Sequence, residues 1–326
     1  MTPTSGSAPM VLYHAISTYQ LLEVMLHRQI YHPNAKAVLL LPDFIKEKYP
    51  HYRRLKTGRF FNEVYLFPYL QIPHREESSV ALAVNRSYRR VVPYEIEEFG
   101  RVYVAGAHFY FSLYLINKGI PFTFFEDAAG CLSRGGELYR ALAAKYPLHA
   151  QIALRHGLFD GTNPLARRVV CLKSAQSIDV SAPKFQNFSV EEALLALPSP
   201  VRRRLLRFFW GLRPKIRTNA QGILLTQHLA NLGVMSLGEQ KKLYENLRDG
   251  PLKGVPLFIK VHPDDTLDYR DIFPQAQIMR RPFPAELLPY LFYRRPRVIY
   301  TADSTGCENL KKHFMIEKLG RDLYVP

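Results

Sequence analysis

The sequence predicts an α/β protein of two consecutive units, each built on a parallel sheet. Three observations lead there. Short apolar runs of β-compatible residues alternate with helix-patterned segments, the mark of parallel βαβ units buried on both faces. That alternation lapses once, from Ser177 to Val201, where Pro183, Pro198 and Pro200 break the chain. Several apolar runs also end in residues that carry chemistry, and in doubly wound sheets the carboxyl ends of the strands are where ligands bind.

In order, Met10 to Tyr13 reads as a first strand, and Ser17 with Thr18-Tyr19-Gln20-Leu21-Leu22 opens a helix through Val24, Met25 and Leu26. Further strands are expected at Ala37 to Leu41, Glu63 to Leu66, Arg101 to Ala105, Ile120 to Phe125 and Val169 to Leu172, with helices such as Tyr110 to Asn117 and Leu138 to Ala144 between them. A second unit starts with the strand Gly222 to Leu225. A helix from Ser236 through Leu247 follows, with Ser236 and Glu239 at capping-box spacing. After it come the strand Leu257 to Val261, a strand at Gln277 to Met279, a helix from Pro284 to Tyr293 and the strand Arg297 to Tyr300. The expected boundaries are a leader at 1–9, a first unit at 10–176, a basic connecting segment at 177–217 and a second unit at 218–326.

Composition narrows the partners. With 47% hydrophobic residues the chain can bury sizeable cores, so disorder is excluded for most of it. Lys and Arg outnumber Asp and Glu by 44 to 28, and a net charge of +16 calls for an anionic partner: nucleic acid, a phosphate-bearing substrate or an acidic membrane. Three cysteines, Cys131, Cys171 and Cys307, show no metal-type spacing and suit a reducing compartment. No stretch reaches the ~20 apolar residues of a membrane span and the start lacks a signal-peptide core, so a cytoplasmic protein is expected, resting at most on the membrane's cytoplasmic face. The segment Arg202 to Arg217 interleaves arginines with Phe208, Phe209 and Trp210. It would suit an anionic bilayer, or simply a linker helix with its aromatics packed inward.

Three strand ends concentrate the chemistry. The strand through Leu257 runs into His262-Pro263. The strand through Val298 runs into Thr301-Ala302-Asp303-Ser304-Thr305-Gly306, where a helix start would aim free N–H groups at a phosphate. In the first unit the aromatic strand ending at Phe125 runs into Glu126-Asp127, a carboxylate pair of which one could be raised in pKa to serve as a general base. Each has a plainer reading: His-Pro as a turn, Ser-Thr as a cap, Asp127 as a cap with Glu126 paired to an arginine. Asp264-Asp265 reads as a solvated cap. A base on one wall of a cleft and phosphate ligands on the other would suit group transfer from a nucleotide donor.

Those motifs, with Thr18-Tyr19-Gln20-Leu21-Leu22 and Leu225-Thr226-Gln227 followed by Leu229, resemble bacterial glycosyltransferase family 52, the lipooligosaccharide sialyltransferase group, and more distantly the bacterial sialyl- and polysialyltransferases. The resemblance implies a GT-B architecture of two Rossmann-like domains facing a cleft, and inverting transfer from CMP-sialic acid to a surface glycan without a metal or other cofactor. By it, Glu126 or Asp127 is the base, and His262 protonates or hydrogen-bonds the CMP phosphate. Thr226, Gln227, Pro263, Asp303, Ser304, Thr305 and Gly306 bind the donor, Thr18, Tyr19 and Gln20 lie toward the acceptor, and a homodimer is open. Two departures stand out: the acidic motif continues Ala128-Ala129-Gly130 where the family has glycine at once, and His228 stands where the family has proline. CDP-polyol phosphotransferases share a His-Pro and an Asp-X-Ser-Ser-like motif and would use histidines such as His14 or His108. A nucleic-acid-binding protein is suggested by charge alone, without a recognisable module.

Overall fold

The computed structural model describes residues 9–73, 76–302 and 304–320. The chain divides into two compact units, Met1–Phe208 and Phe209–Pro326. Each holds one sheet.

The first unit has seven parallel strands: β1 Val11–His14, β2 Ala37–Pro42, β3 Glu63–Phe67, β4 Arg101–Ala105, β5 Phe122–Phe125, β6 Ala166–Cys171 and β7 Phe185–Asn187, in the spatial order β3-β2-β1-β4-β5-β6-β7. The inner strands are mostly apolar because helices cover both faces; β1 and β2 are buried at every position. Leu12, Val38 and Val104 pack into a core with Val84, Tyr88 and Phe111 from the covering helices. The helix Thr18–Tyr31 begins at a capping box, in which the Gln20 N–H donates to Ser17 Oγ and the Ser17 N–H to Gln20 Oε1.

The second unit has five parallel strands: β8 Gly222–Leu225, β9 Leu257–Lys260, β10 Gln277–Met279, β11 Val298–Thr301 and β12 Met315–Lys318, ordered β10-β9-β8-β11-β12. Counted from its own first strand, each unit has the order 3-2-1-4-5 of a Rossmann sheet. The capping box expected at Ser236 and Glu239 opens the helix Leu237–Asp249.

Several expectations change. The segment 177–217 is only partly a connection: it supplies β7 and the helix Val190–Ala196, which packs on the helix Thr18–Tyr31, before the units divide at Phe208. The helix expected from Pro284 to Tyr293 is a three-residue 3-10 turn, Ala285–Leu287, and a single α turn, Leu288–Leu291, since Pro289 allows no longer ladder. The helix expected after Ser304 is a kinked 3-10 segment, Thr305–Leu310. Within the helix Ser199–Trp210, Leu205, Phe208, Phe209 and Trp210 are buried while Arg203, Arg204 and Arg207 are exposed, so its aromatic face is spent on the protein rather than on a bilayer. Among the described residues no helix is long and apolar enough to cross a membrane. Residues 1–8 of the leader expected at 1–9, and Asp303, lie outside the described residues.

Candidate active site

In the second unit the chain reverses direction across the sheet between β8 and β11, and the crevice beyond their carboxyl ends is the place where doubly wound sheets bind ligands, which makes it the candidate site. Register sets what lies there. Leu225 pairs with Lys260 on one side and Thr301 on the other, which brings Gln227 and His262 level two residues further on. β9 and β11 flank β8, so His262 and Ser304 lie on one edge across two strand spacings, about 10 Å.

Asp265 organises this edge. Expected as a solvated cap, it is buried and accepts four hydrogen bonds: Thr226 Oγ1 at 3.1 Å, Gln240 Nε2 at 3.0 Å, the Leu267 N–H at 3.1 Å and Tyr269 Oη at 2.7 Å. Burial, with Tyr244 and Asp265 beside it, pushes the Tyr269 phenol far above its ordinary range, so it stays a donor. Thr226 Oγ1 in turn accepts the His262 N–H at 3.0 Å. Thr226 is thus a buried post between strand ends. Gln227 is fixed through its N–H, which donates to Tyr244 Oη at 2.9 Å.

The His262 ring is half-buried. Its Nδ1 accepts the Asp264 N–H at 3.2 Å, so in the neutral ring the proton sits on Nε2, which presents a donor. The ring stacks on His228, centroids 3.8 Å apart and planes 12° from parallel. His228, His262 and Asp264 offer ligand atoms within 4.8 Å of one another, the group among the described residues spaced to hold a metal ion. Across β8, Ser304 Oγ accepts the Gly306 N–H at 3.1 Å and the Ser304 N–H donates to Thr301 Oγ1 at 3.0 Å. That holds the Ser304–Gly306 turn in place and leaves the serine O–H to donate.

In the first unit the corresponding reversal lies between β1 and β4. Gln20 spans it. Its Oε1 accepts the N–H groups of Ile16 at 2.8 Å and Ser17 at 3.0 Å, and its Nε2 donates to Asp127 Oδ1. Gly106, at φ +68°, makes room: a Cβ there would lie 3.1 Å from Gln20 Nε2. Asp127 is half-buried, and its charge opposes the burial that lowers the pKa of the nearby His108.

Glu126 has the opposite fate. It is buried, accepting the N–H groups of Gly130 at 3.0 Å and Leu172 at 2.6 Å and Gln176 Nε2 at 2.7 Å. Burial pushes its carboxyl up to about 7 against those donors. It ties the end of β5 to the turn after β6. Thr18 and Gln20 are also buried, so of the residues expected toward the acceptor only Tyr19 is partly exposed. His14 is locked: Nδ1–H donates to the Ala105 carbonyl at 3.1 Å, Nε2 accepts from Tyr69 Oη at 2.5 Å, and burial drops its pKa to about 3. That closes it to the proton transfer a polyol phosphotransferase would ask of it.

The sequence pointed to His228 only as a departure from the family pattern, not as the partner of His262, and gave no hint of the role of Asp265. His228 carried a signal, since it follows Thr226-Gln227 at a strand end just as His262 follows Val261. Asp265 carried none, because its partners Thr226 and Gln240 come from other elements, 39 and 25 residues away.

No known family model matches the chain, and no curated protein does. Solved structures match across nearly all of it. A putative UDP-N-acetylglucosamine 2-epimerase from Listeria monocytogenes is similar at TM-score 0.55 and 11% identity, over 96% of this chain and 80% of that one. UGT71G1 of Medicago truncatula, solved with UDP-glucose, is similar at 0.54 and 10%, over 96% and 80%. The glycotransferase of kitacinnamycin is similar at 0.51 and 11%, over 93% and 78%. At such identities the likeness is one of fold, and with the two Rossmann-ordered sheets it makes the chain an α/β protein of GT-B architecture.

Proposed function

We propose that the protein is an inverting glycosyltransferase that moves sialic acid from CMP-sialic acid to a hydroxyl of a surface glycan. The observation that carries this reading is the built edge of the second unit. There Asp265 and Thr226 hold the His262 backbone, and the Asp264 N–H directs a ring donor outward beside the β8–β11 reversal. His262 Nε2 and Ser304 Oγ donate to the phosphate of the nucleotide as the sugar–oxygen bond breaks, so charge on the leaving CMP is neutralised by fixed donors. Asp127 is assigned the proton of the acceptor hydroxyl, since Glu126 is enclosed. Gln20 holds Asp127 through one oxygen and leaves the other for that proton.

The chemistry as written needs no metal. The neighbours solved with UDP-glucose or named for UDP-N-acetylglucosamine give a specific reason to test a uridine donor beside the cytidine one. Incubation with CMP-sialic acid, CDP-glycerol and UDP-glucose, each with and without EDTA, separates the readings. The proposal expects release of CMP from the first donor alone, unchanged by EDTA. Turnover of UDP-glucose would replace the donor and keep the transferase. Release of glycerol phosphate from CDP-glycerol would replace the reaction.

A further inference from the structure

We propose that the second unit carries a docking surface for an anionic lipid bilayer at the amino-terminal edge of its sheet, the edge opposite His262. Three strips of chain meet there. The strips that hold residues 212–217 and 292–297 meet at a single parallel bridge between Ile216 and Phe292, the Ile216 N–H donating to the Leu291 carbonyl at 2.7 Å and the Tyr293 N–H to the Ile216 carbonyl at 2.9 Å. The second strip leads into β11, where the Met315 N–H donates to the Arg297 carbonyl at 3.0 Å and brings in the start of β12. Arg217 lies over the Tyr293 ring at 5.6 Å and Arg295 over Phe314 at 5.2 Å, so the strips share one surface.

That surface is exposed and of one sign. Arg213, Lys215, Arg217, Arg294, Arg295 and Arg297 are all exposed, and residues 209–221, 288–300 and 309–316 contain no Asp or Glu. Among these cations stand Leu212, Tyr293 and Met315, 85%, 68% and 63% exposed. Apolar side chains set among cations of one sign offer both of the contacts that an acidic bilayer makes. A nucleic-acid backbone would use the cations and leave the apolar groups idle, whereas the headgroup region of an acidic bilayer accepts both. The aromatic run Phe208 to Trp210 takes no part. Trp210 packs edge-on to Phe283, and its Nε1 donates to the Pro214 carbonyl at 3.2 Å, which fixes the loop that displays Leu212 and Arg213.

The test is sedimentation of the full chain with vesicles of phosphatidylcholine alone and of phosphatidylcholine and phosphatidylglycerol in equal parts. The chain is expected to sediment with the acidic vesicles only, and to be released by salt. The triple variant Arg213→Glu, Lys215→Glu, Arg294→Glu should weaken partition by about a hundredfold or more, at roughly fivefold for each cation lost. The three single variants read out the same steps should the triple variant melt early. Leu212→Ser with Tyr293→Ser should weaken partition while leaving its salt dependence in place. Failure to sediment with acidic vesicles at low salt would overturn the proposal. So would wild-type partition in the charge-reversed variants, or salt-sensitive binding to duplex DNA in place of vesicles.

Discussion

Two adjacent carboxylates, Glu126 and Asp127, end the same strand and part company. Glu126 faces inward because β6 lies beside β5 and offers the Leu172 N–H and the Gln176 amide; Asp127 faces the loop side and meets Gln20. The sequence made the pair legible as a strand end with acid chemistry. It could not divide the roles, since Leu172 and Gln176 lie some fifty residues along the chain. Asp127→Asn should therefore reduce kcat by ~10²-fold or more at an unchanged melting temperature, as expected for a lost general base. Glu126→Gln should lower the melting temperature, because an amide sets N–H groups against N–H groups; wild-type melting in that variant would show that the site relaxes. His262→Ala should cost turnover ~10²-fold or more with the fold retained, and wild-type turnover would remove His262 from the chemistry. Titration adds a sign. The Glu126 carboxyl is raised from 4.5 to about 7, so between those values the folded chain holds a proton that the unfolded chain has released. Its contribution to stability is full below 4.5 and declines as pH rises to about 7. Unfolding followed across that window in wild type and Glu126→Gln should show the difference between them change in that sense.

Most strands flanked on both sides were legible as short apolar runs, because burial on two faces leaves little room for polar alternation. Of the four edge strands, β3 and β10 were legible and two were not. β7 has three residues and β12 reads Met-Ile-Glu-Lys, each with one neighbour and one side open, so neither needed an apolar run. The two short helices of the second unit failed for local reasons: Pro289 in one, and a 3-10 turn after Ser304 in the other. β9 holds a further surprise, because Lys260 is buried in a strand that otherwise reads as pure core. Its Nζ donates to the Val261 carbonyl at 3.0 Å and lies 4.6 Å from the Phe283 ring centre, with the buried Glu286 as its counter-charge. Burial lowers the lysine to about 8 and raises the glutamate to about 7. Removing one partner strands the other, so Lys260→Met alone should cost about 3 kcal/mol, and Lys260→Met with Glu286→Met should recover most of it. Urea denaturation of the three proteins decides the point; equal midpoints for single and double variants would show that the charges are not coupled.

For the whole molecule, the two sheets repeat one strand order, and each places its polar motif at the carboxyl edge beside its own reversal point. The plan was legible from the alternation of apolar runs and from the motif order. The boundary was not, because the basic helix Ser199–Trp210 reads as linker by charge yet buries Leu205 and its aromatics. The central claim is that the edge formed by β8, β9 and β11 holds a nucleotide phosphate. A crystal structure of the protein soaked with CMP tests it most directly. Density for the phosphate is expected within hydrogen-bond reach of His262 Nε2 and the Ser304 hydroxyl. Density for CMP at any other place on the chain, with this edge empty, would contradict it.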